Sequence, residues 1–302
     1  MRILNDNVLA SMDSPIKWTF KNIHNAIINI APEKRAQFES EHNDFVLEYL
    51  DSPEWICEVV IESKHIKISR GVVELLWCLA YAHIVLYCKK IGGNKFEPGA
   101  RIDLTTDPDI LAGMQLMIWA LNNLFHPHLR KRWPVDLPEP TENPQHGSWI
   151  HIGNEFCLCA VAYIIHHELA HIRLKHNAYI ESIEQERDAD YEASDWIMDG
   201  TISDELVFTK RMLGISLALQ ALTIRGIYTG RFSSNSHPRS FDRLYNTLSR
   251  YLTDDDHVIY AITAIALQLH MQGAKIVGEP GIYDDVQQCF NDYIEKLAQK
   301  EA

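Results

Sequence analysis

The chain has 302 residues, of which 46% are hydrophobic and 23% charged, and a net charge of −13. That balance excludes a disordered chain, and the acidic excess excludes one built as a whole to hold nucleic acid. The six cysteines (Cys57, Cys78, Cys88, Cys157, Cys159, Cys289) suggest neither a disulfide framework nor a cysteine-based zinc site, so free thiols in a reducing compartment are expected.

Met1 to Asp6 is not followed by the apolar core of a secretion signal. Ile16 to Ile30 carries apolar residues at Trp18, Phe20, Ile23, Ile27 and Ile28, a helical pattern that Ala31-Pro32 ends. Phe38 to Leu50 reads as a second helix. Trp55 to Ser69 alternates, is β-branched and turns at Ser63-Lys64-His65, which predicts a hairpin that must pack on helices to persist. Beside a metal such a strand can offer its edge to a substrate; a purely structural hairpin is the alternative. Gly71 to Lys90 is a strongly apolar helix in which His83 is expected to be a core residue, and Ile91 to Thr106 is a loop. Asp107-Pro108 then supplies a cap and a first-turn proline to a helix ending near Phe125. Glu74, His83 or His166 interrupts the longest apolar stretches, so no membrane span is expected, and a cytoplasmic protein follows.

His126 to Gly147 holds five prolines and the basic cluster Arg130-Lys131-Arg132. A connection this long is a lid or binding loop, or else solvated surface. Ser148 to Gly153 reads as a short strand in which His151 is a weak candidate to face a cleft. No Gly or Pro interrupts Glu155 to Met198, where two helices are expected. The first contains His167-Glu168-Leu169-Ala170-His171. Residues four apart share one helix face, so His167 and His171 can offer imidazole nitrogens to one metal ion, with Glu168 beside them and in reach of a metal-held water. Zinc is the expected ion, because it accepts two imidazoles and a carboxylate and tolerates an open fourth position.

Fourteen residues separate His171 from Glu186, enough for the first helix to end near His176-Asn177 and a second to return. On that second helix Glu186 and Asp190 share a face. Glu186 is the expected third ligand, and Asp190 the acceptor for the free N–H of a liganding imidazole. Glu184 is the substitute ligand; His176 more naturally ends the helix, and a solvated acidic face is the bland alternative for Glu181 to Glu192. Thr201 to Asp204 opens an apolar helix that Gly226 and Gly230 end, and His237-Pro238 opens another that carries Arg243. His237 and Arg243 are both candidates to donate to a transition-state oxyanion or a substrate carbonyl; for His237 a helix-opening turn is an equal alternative, and for Arg243 a buried ion-pair partner is the favoured one. Val258–Met271 and Asp284–Lys300 close the chain.

His167-Glu168-Leu169-Ala170-His171 with Glu186-x-x-x-Asp190 resembles the gluzincin arrangement. With Trp149-Ile150-His151-Ile152 before it, Asp195-Trp196-Ile197-Met198 after it and His237-Pro238 further on, the pattern is similar to the Lit-type phage-exclusion metallopeptidases, across roughly 149–243. The resemblance implies a gluzincin-like (minimal thermolysin-type) helical core and a cytoplasmic bacterial zinc endopeptidase. It further implies elongation factor Tu as substrate and a phage-derived peptide as activator. The whole is expected to be mainly α with a small β element, in a single domain over 1–302: a motif-bearing core at about 149–243, a helical and hairpin part before it, and helices at 244–302 after it. One zinc is held by His167, His171 and Glu186, with Glu168 as base and no nucleic-acid or membrane partner. The rival is a zinc-stabilised binding or regulatory protein, for which a fourth protein ligand such as His176 or His151 would speak.

Overall fold

The computed structural model describes residues 2–4, 6–42, 44–92, 104–129, 131–177, 182–201, 203–278 and 281–301. Arg130, Glu181 and residues 93–103, parts of segments singled out above, lie outside them.

Eleven helices and four strands follow one another among the described residues. They are β1 (Arg2–Leu4), α1 (Asp6–Ser11), α2 (Lys17–Asn29), α3 (Arg35–Glu41), β2 (Val46–Leu50), β3 (Cys57–Val60), β4 (His65–Ser69), α4 (Arg70–Lys90), α5 (Pro108–Phe125), α6 (Trp149–Arg173), α7 (Ile183–Met198), α8 (Glu205–Thr229), α9 (Ser240–Tyr251), α10 (Val258–Gly273) and α11 (Val286–Glu301). The fold is therefore mainly α with one small sheet. A continuous apolar cluster runs from Met12 to Leu297. All six cysteines are free and four are buried.

α6 is the axis of the molecule, with α2, α4, α7 and α8 packed around it. α4 and α8 are long and apolar enough to cross a membrane, yet most of each is buried among the other helices, as core helices are. α8 approaches α6 closely because Gly214 has no side chain: a Cβ there falls 2.4 Å from Cβ of Cys159. The caps follow the sequence. Asp107 accepts from the N–H of Asp109 and Ile110, Asp204 from those of Leu206 and Val207, and Gly230 closes α8 in the left-handed region at φ 68°.

Two segments depart from the sequence reading. Phe38 to Leu50 is not one helix: α3 stops at Glu41, and Val46–Leu50 is a strand whose Leu47 and Tyr49 are buried while its other residues are half-covered. That period-two burial outweighs the helical spacing of Phe38 and Phe45. Ser148 to Gly153 is not a strand; the Ser148 hydroxyl accepts from the His151 N–H at 3.2 Å and caps α6, whose first turn begins at Trp149.

The sheet order is β1-β2-β4-β3, with β1, β2 and β4 parallel and β3 antiparallel on β4, so the expected hairpin forms and β3 is an edge strand. The proline-rich connection is strapped down. The Trp133 ring lies 5.5 Å from that of Trp77 and 4.7 Å from that of Trp119, and Asn123 exchanges two hydrogen bonds with the Lys131 backbone.

Gly214→Val forces backbone atoms of α6 and α8 apart and is expected to cost at least 1–3 kcal/mol, roughly the range for overpacked cores. Urea unfolding checks this; an unshifted midpoint contradicts the close approach.

Candidate metal centre

Four residues apart on the buried face of α6, His167 and His171 present their Nε2 atoms side by side, 3.3 Å from each other. α7 is phased against them by its cap: the Ser182 hydroxyl accepts from the N–H of Glu184 and Gln185, which starts the helix so that Glu186 and Asp190 face α6. Glu186 Oε2 lies 3.3 Å from His167 Nε2, and Oε1 lies 3.4 Å from His171 Nε2. Bonds of about 2.0–2.1 Å at tetrahedral angles give donor–donor edges of about 3.3–3.4 Å, so the two imidazoles have the separation of ligands on one cation of zinc's size, with a carboxylate oxygen at a like distance from each. These separations are longer than ordinary hydrogen bonds. His167, His171 and Glu186 form the one such three-donor group among the described residues.

Behind the donors lies a buried ion network. Asp190 Oδ1 is 3.0 Å from His167 Nδ1 and accepts from the Tyr163 hydroxyl at 3.0 Å. Arg243 binds both Asp190 oxygens, with Nε donating to Oδ2 and Nη2 to Oδ1, each at 2.7 Å. His171 Nδ1 faces His176 Nδ1 at 2.9 Å. Glu168 flanks the cluster, its Oε1 3.9 Å from the Cys57 thiol of β3. His237 stands at the mouth, 54% exposed, with Nε2 3.6 Å from Glu186 Oε1; its Nδ1 lies 2.7 Å from the Ser236 hydroxyl.

Burial opposes charge throughout, and the partners decide the outcome. It works against a charged His167, but Asp190 and Glu186 overcome it and push the ring up to about 10. Burial would raise Asp190, yet Arg243 and His167 hold it well below the usual carboxylate range. Glu186 is likewise held down to about 2 against burial, chiefly by His167. Burial, followed by the charge on His167, pushes His171 down to about 3. For Glu168 burial wins over the pull of His167 and carries the carboxyl up to about 7.

The structure thus brings together His167, Glu168, His171, Glu186, Asp190, His237 and Arg243. Glu184 is exposed on the far side of α7. His151 sits 16 residues before His167 on the same helix, about 24 Å away at 1.5 Å per residue, so it is no fourth ligand. Nor is His176, whose ring meets the Nδ1 side of His171, away from the cluster. Tyr163 went unread in the sequence, Cys57 was read there only as a free thiol, and His176 only as a helix end or a fourth ligand; Tyr163, one turn before His167 on the same face, left a signal there. A groove of about 650 Å³ between α2, α8 and residues 142–144 lies along the first half of α6, and none of the donors lines it.

A mainly helical protein that sets a two-imidazole, one-carboxylate cluster beside a half-buried glutamate has the layout of a hydrolase. The comparisons agree: the chain belongs to the Peptidase U49 family, whose model matches residues 66–263, and so stands among the peptidases. It is similar to the Cell death peptidase of Escherichia coli (strain K12), 26% identical over 276 residues that span 88% of this chain and 91% of that one. No solved structure matches.

Arg243→Met strips the buried Asp190 carboxylate of its cation and is expected to cost about 3–5 kcal/mol, the usual penalty for breaking a buried pair. Adding Asp190→Asn should recover part of that loss. Chemical denaturation of both variants checks it; a single variant as stable as wild type contradicts the network.

Proposed function

We propose that the chain is a zinc-dependent endopeptidase. The supporting observation is the convergence of His167, His171 and Glu186: the two Nε2 atoms lie 3.3 Å apart and each is 3.3–3.4 Å from its own Glu186 oxygen, with Glu168 alongside and no further protein donor in the group among the described residues. Three protein ligands suit a catalytic zinc, whereas structural sites are closed by four. His167, His171 and Glu186 would hold the ion, which when bound lowers the pKa of a water and polarises the scissile carbonyl. Glu168 takes the proton from that water and delivers it to the leaving amine. Asp190, itself fixed by Arg243 and Tyr163, holds the His167 ring at Nδ1. His237 presents Nε2 from the mouth, where a developing oxyanion can be met.

β3 supplies the substrate's track. The Ser69 N–H donates to the Ile56 carbonyl at 2.9 Å. By antiparallel alternation Ile56, Glu58 and Val60 bond inward to β4, and Cys57 and Val59 turn their backbone groups to the open edge. An extended substrate pairing there runs past Glu168. By the resemblance to the Lit-type family, elongation factor Tu would be the substrate, a phage-derived peptide the activator and the bacterial cytoplasm the setting.

Wild type and Glu168→Gln are compared in bacterial cells, with and without phage infection, by sequencing new protein termini and measuring bound zinc. The Gln variant should keep zinc and lose about 10²–10⁴-fold in cleavage rate, as expected for removal of a general base, while Glu186→Ala should lose zinc itself. Undiminished cleavage by the Gln variant removes the base assignment. Val59→Pro deletes one outward N–H and spares the β3–β4 ladder, so KM should rise about tenfold, the worth of one hydrogen bond. An unchanged KM removes the edge-pairing track.

A further inference from the structure

α6 ends directly after its second imidazole, and the way it ends bears on the site. Leu174 caps the helix, and Lys175 takes the left-handed conformation at φ 54°. The Lys175 N–H then donates to the Ile172 carbonyl at 3.2 Å, and the His176 N–H to the His171 carbonyl at 3.0 Å. Those reversed bonds define a Schellman terminator. In it the side chains of the last and first members of the bonded loop meet, usually through an apolar contact. Here they are His176 and His171, with ring centroids 4.9 Å apart, planes at 74° and Nδ1 atoms 2.9 Å apart.

We infer that His176 is a positioning residue for His171, and that the helix terminator puts it there. The inference rests on the metal reading above. His171 offers Nε2 to the donor cluster, so its proton must sit on Nδ1. An Nδ1–Nδ1 hydrogen bond then needs His176 to accept at Nδ1 and keep its own proton on Nε2. The contact fixes both tautomers and the tilt of the His171 ring. The two liganding rings are thus backed unequally: His167 by the Asp190 carboxylate, His171 by a neutral imidazole that adds no further negative charge. Neither the spacing of His-Glu-x-x-His nor α7 accounts for this second support; it comes from five residues of chain and one left-handed lysine.

The test measures zinc affinity of the purified full chain by competition with a chromophoric chelator, beside the thermal midpoint of the metal-free protein. His176→Leu keeps the bulk and removes the acceptor; His176→Asn places an amide oxygen where Nδ1 stood. His176→Leu should weaken zinc binding about 10- to 100-fold, the range seen when a partner of a liganding imidazole is lost, and His176→Asn should recover most of that loss. Lys175→Val, which resists the left-handed conformation, should weaken zinc like the Leu variant although His176 is intact, whereas Lys175→Gly should bind as wild type does. Undiminished affinity in His176→Leu overturns the inference alone. So does an Asn variant as weak as the Leu variant, which would make His176 a ligand or mere packing. A wild-type chain that takes up no zinc overturns the metal reading, and this one with it.

Discussion

The Asp190 carboxylate is the point on which the centre turns. It is ionised and 3% exposed, and an isolated buried carboxylate cannot stay charged. Its charge persists because Arg243 from α9, Tyr163 from α6 and the His167 ring all converge on its two oxygens. Each partner comes from a different turn or helix, so satisfying one carboxylate fixes α6, α7 and α9 relative to one another. The donor cluster inherits that rigidity. A buried ion pair of this kind contributes little net stability over an apolar alternative; what it contributes is a single arrangement.

Much of this was legible from spacing. A four-residue interval on an uninterrupted helix put His167 and His171 on one face, and the same interval put Glu186 and Asp190 on another. Asp107, Asp204 and Gly230 announced their helix ends because caps depend on local chemistry. What escaped the sequence is what depends on distant partners. β1 is three residues long and exists through its pairing with Val46–Glu48. β2 carries the aromatic and aliphatic residues of a helix as readily as those of a strand, and the sheet decided. Arg243 was read as a buried ion-pair partner, but its carboxylate lies 53 residues earlier in the chain. Cys57 meets Glu168 across 111 residues, and no periodicity reports that. His176 was read as a helix end, which it is; the left-handed Lys175 that turns its ring inward has no sequence signature comparable to glycine.

The donor cluster and the open strand edge are built by different parts of the chain. α6, α7 and α9 carry the donors and their supports, whereas the open edge belongs to β3. The two halves stay in register through β4, which pairs with β3 and runs without a break into α4. That junction has its own buried ion cluster: fully buried Arg70 donates to Asp51 at 2.5 Å and to Glu74 at 2.9 Å, and the Ser14 hydroxyl donates to Glu74 at 2.8 Å. Gly71 lets the chain pass beneath Pro53, whose carbonyl oxygen a Cβ there would meet at 2.1 Å. α4 in turn packs against α6, with Trp77 donating to Asn154 at 2.6 Å. The edge strand and Glu168 are therefore linked through a chain of packed contacts along β4, α4 and α6. Proton transfer tolerates little error in position, so under the proposed reading a frame that holds both the strand edge and Glu168 is what the chemistry requires.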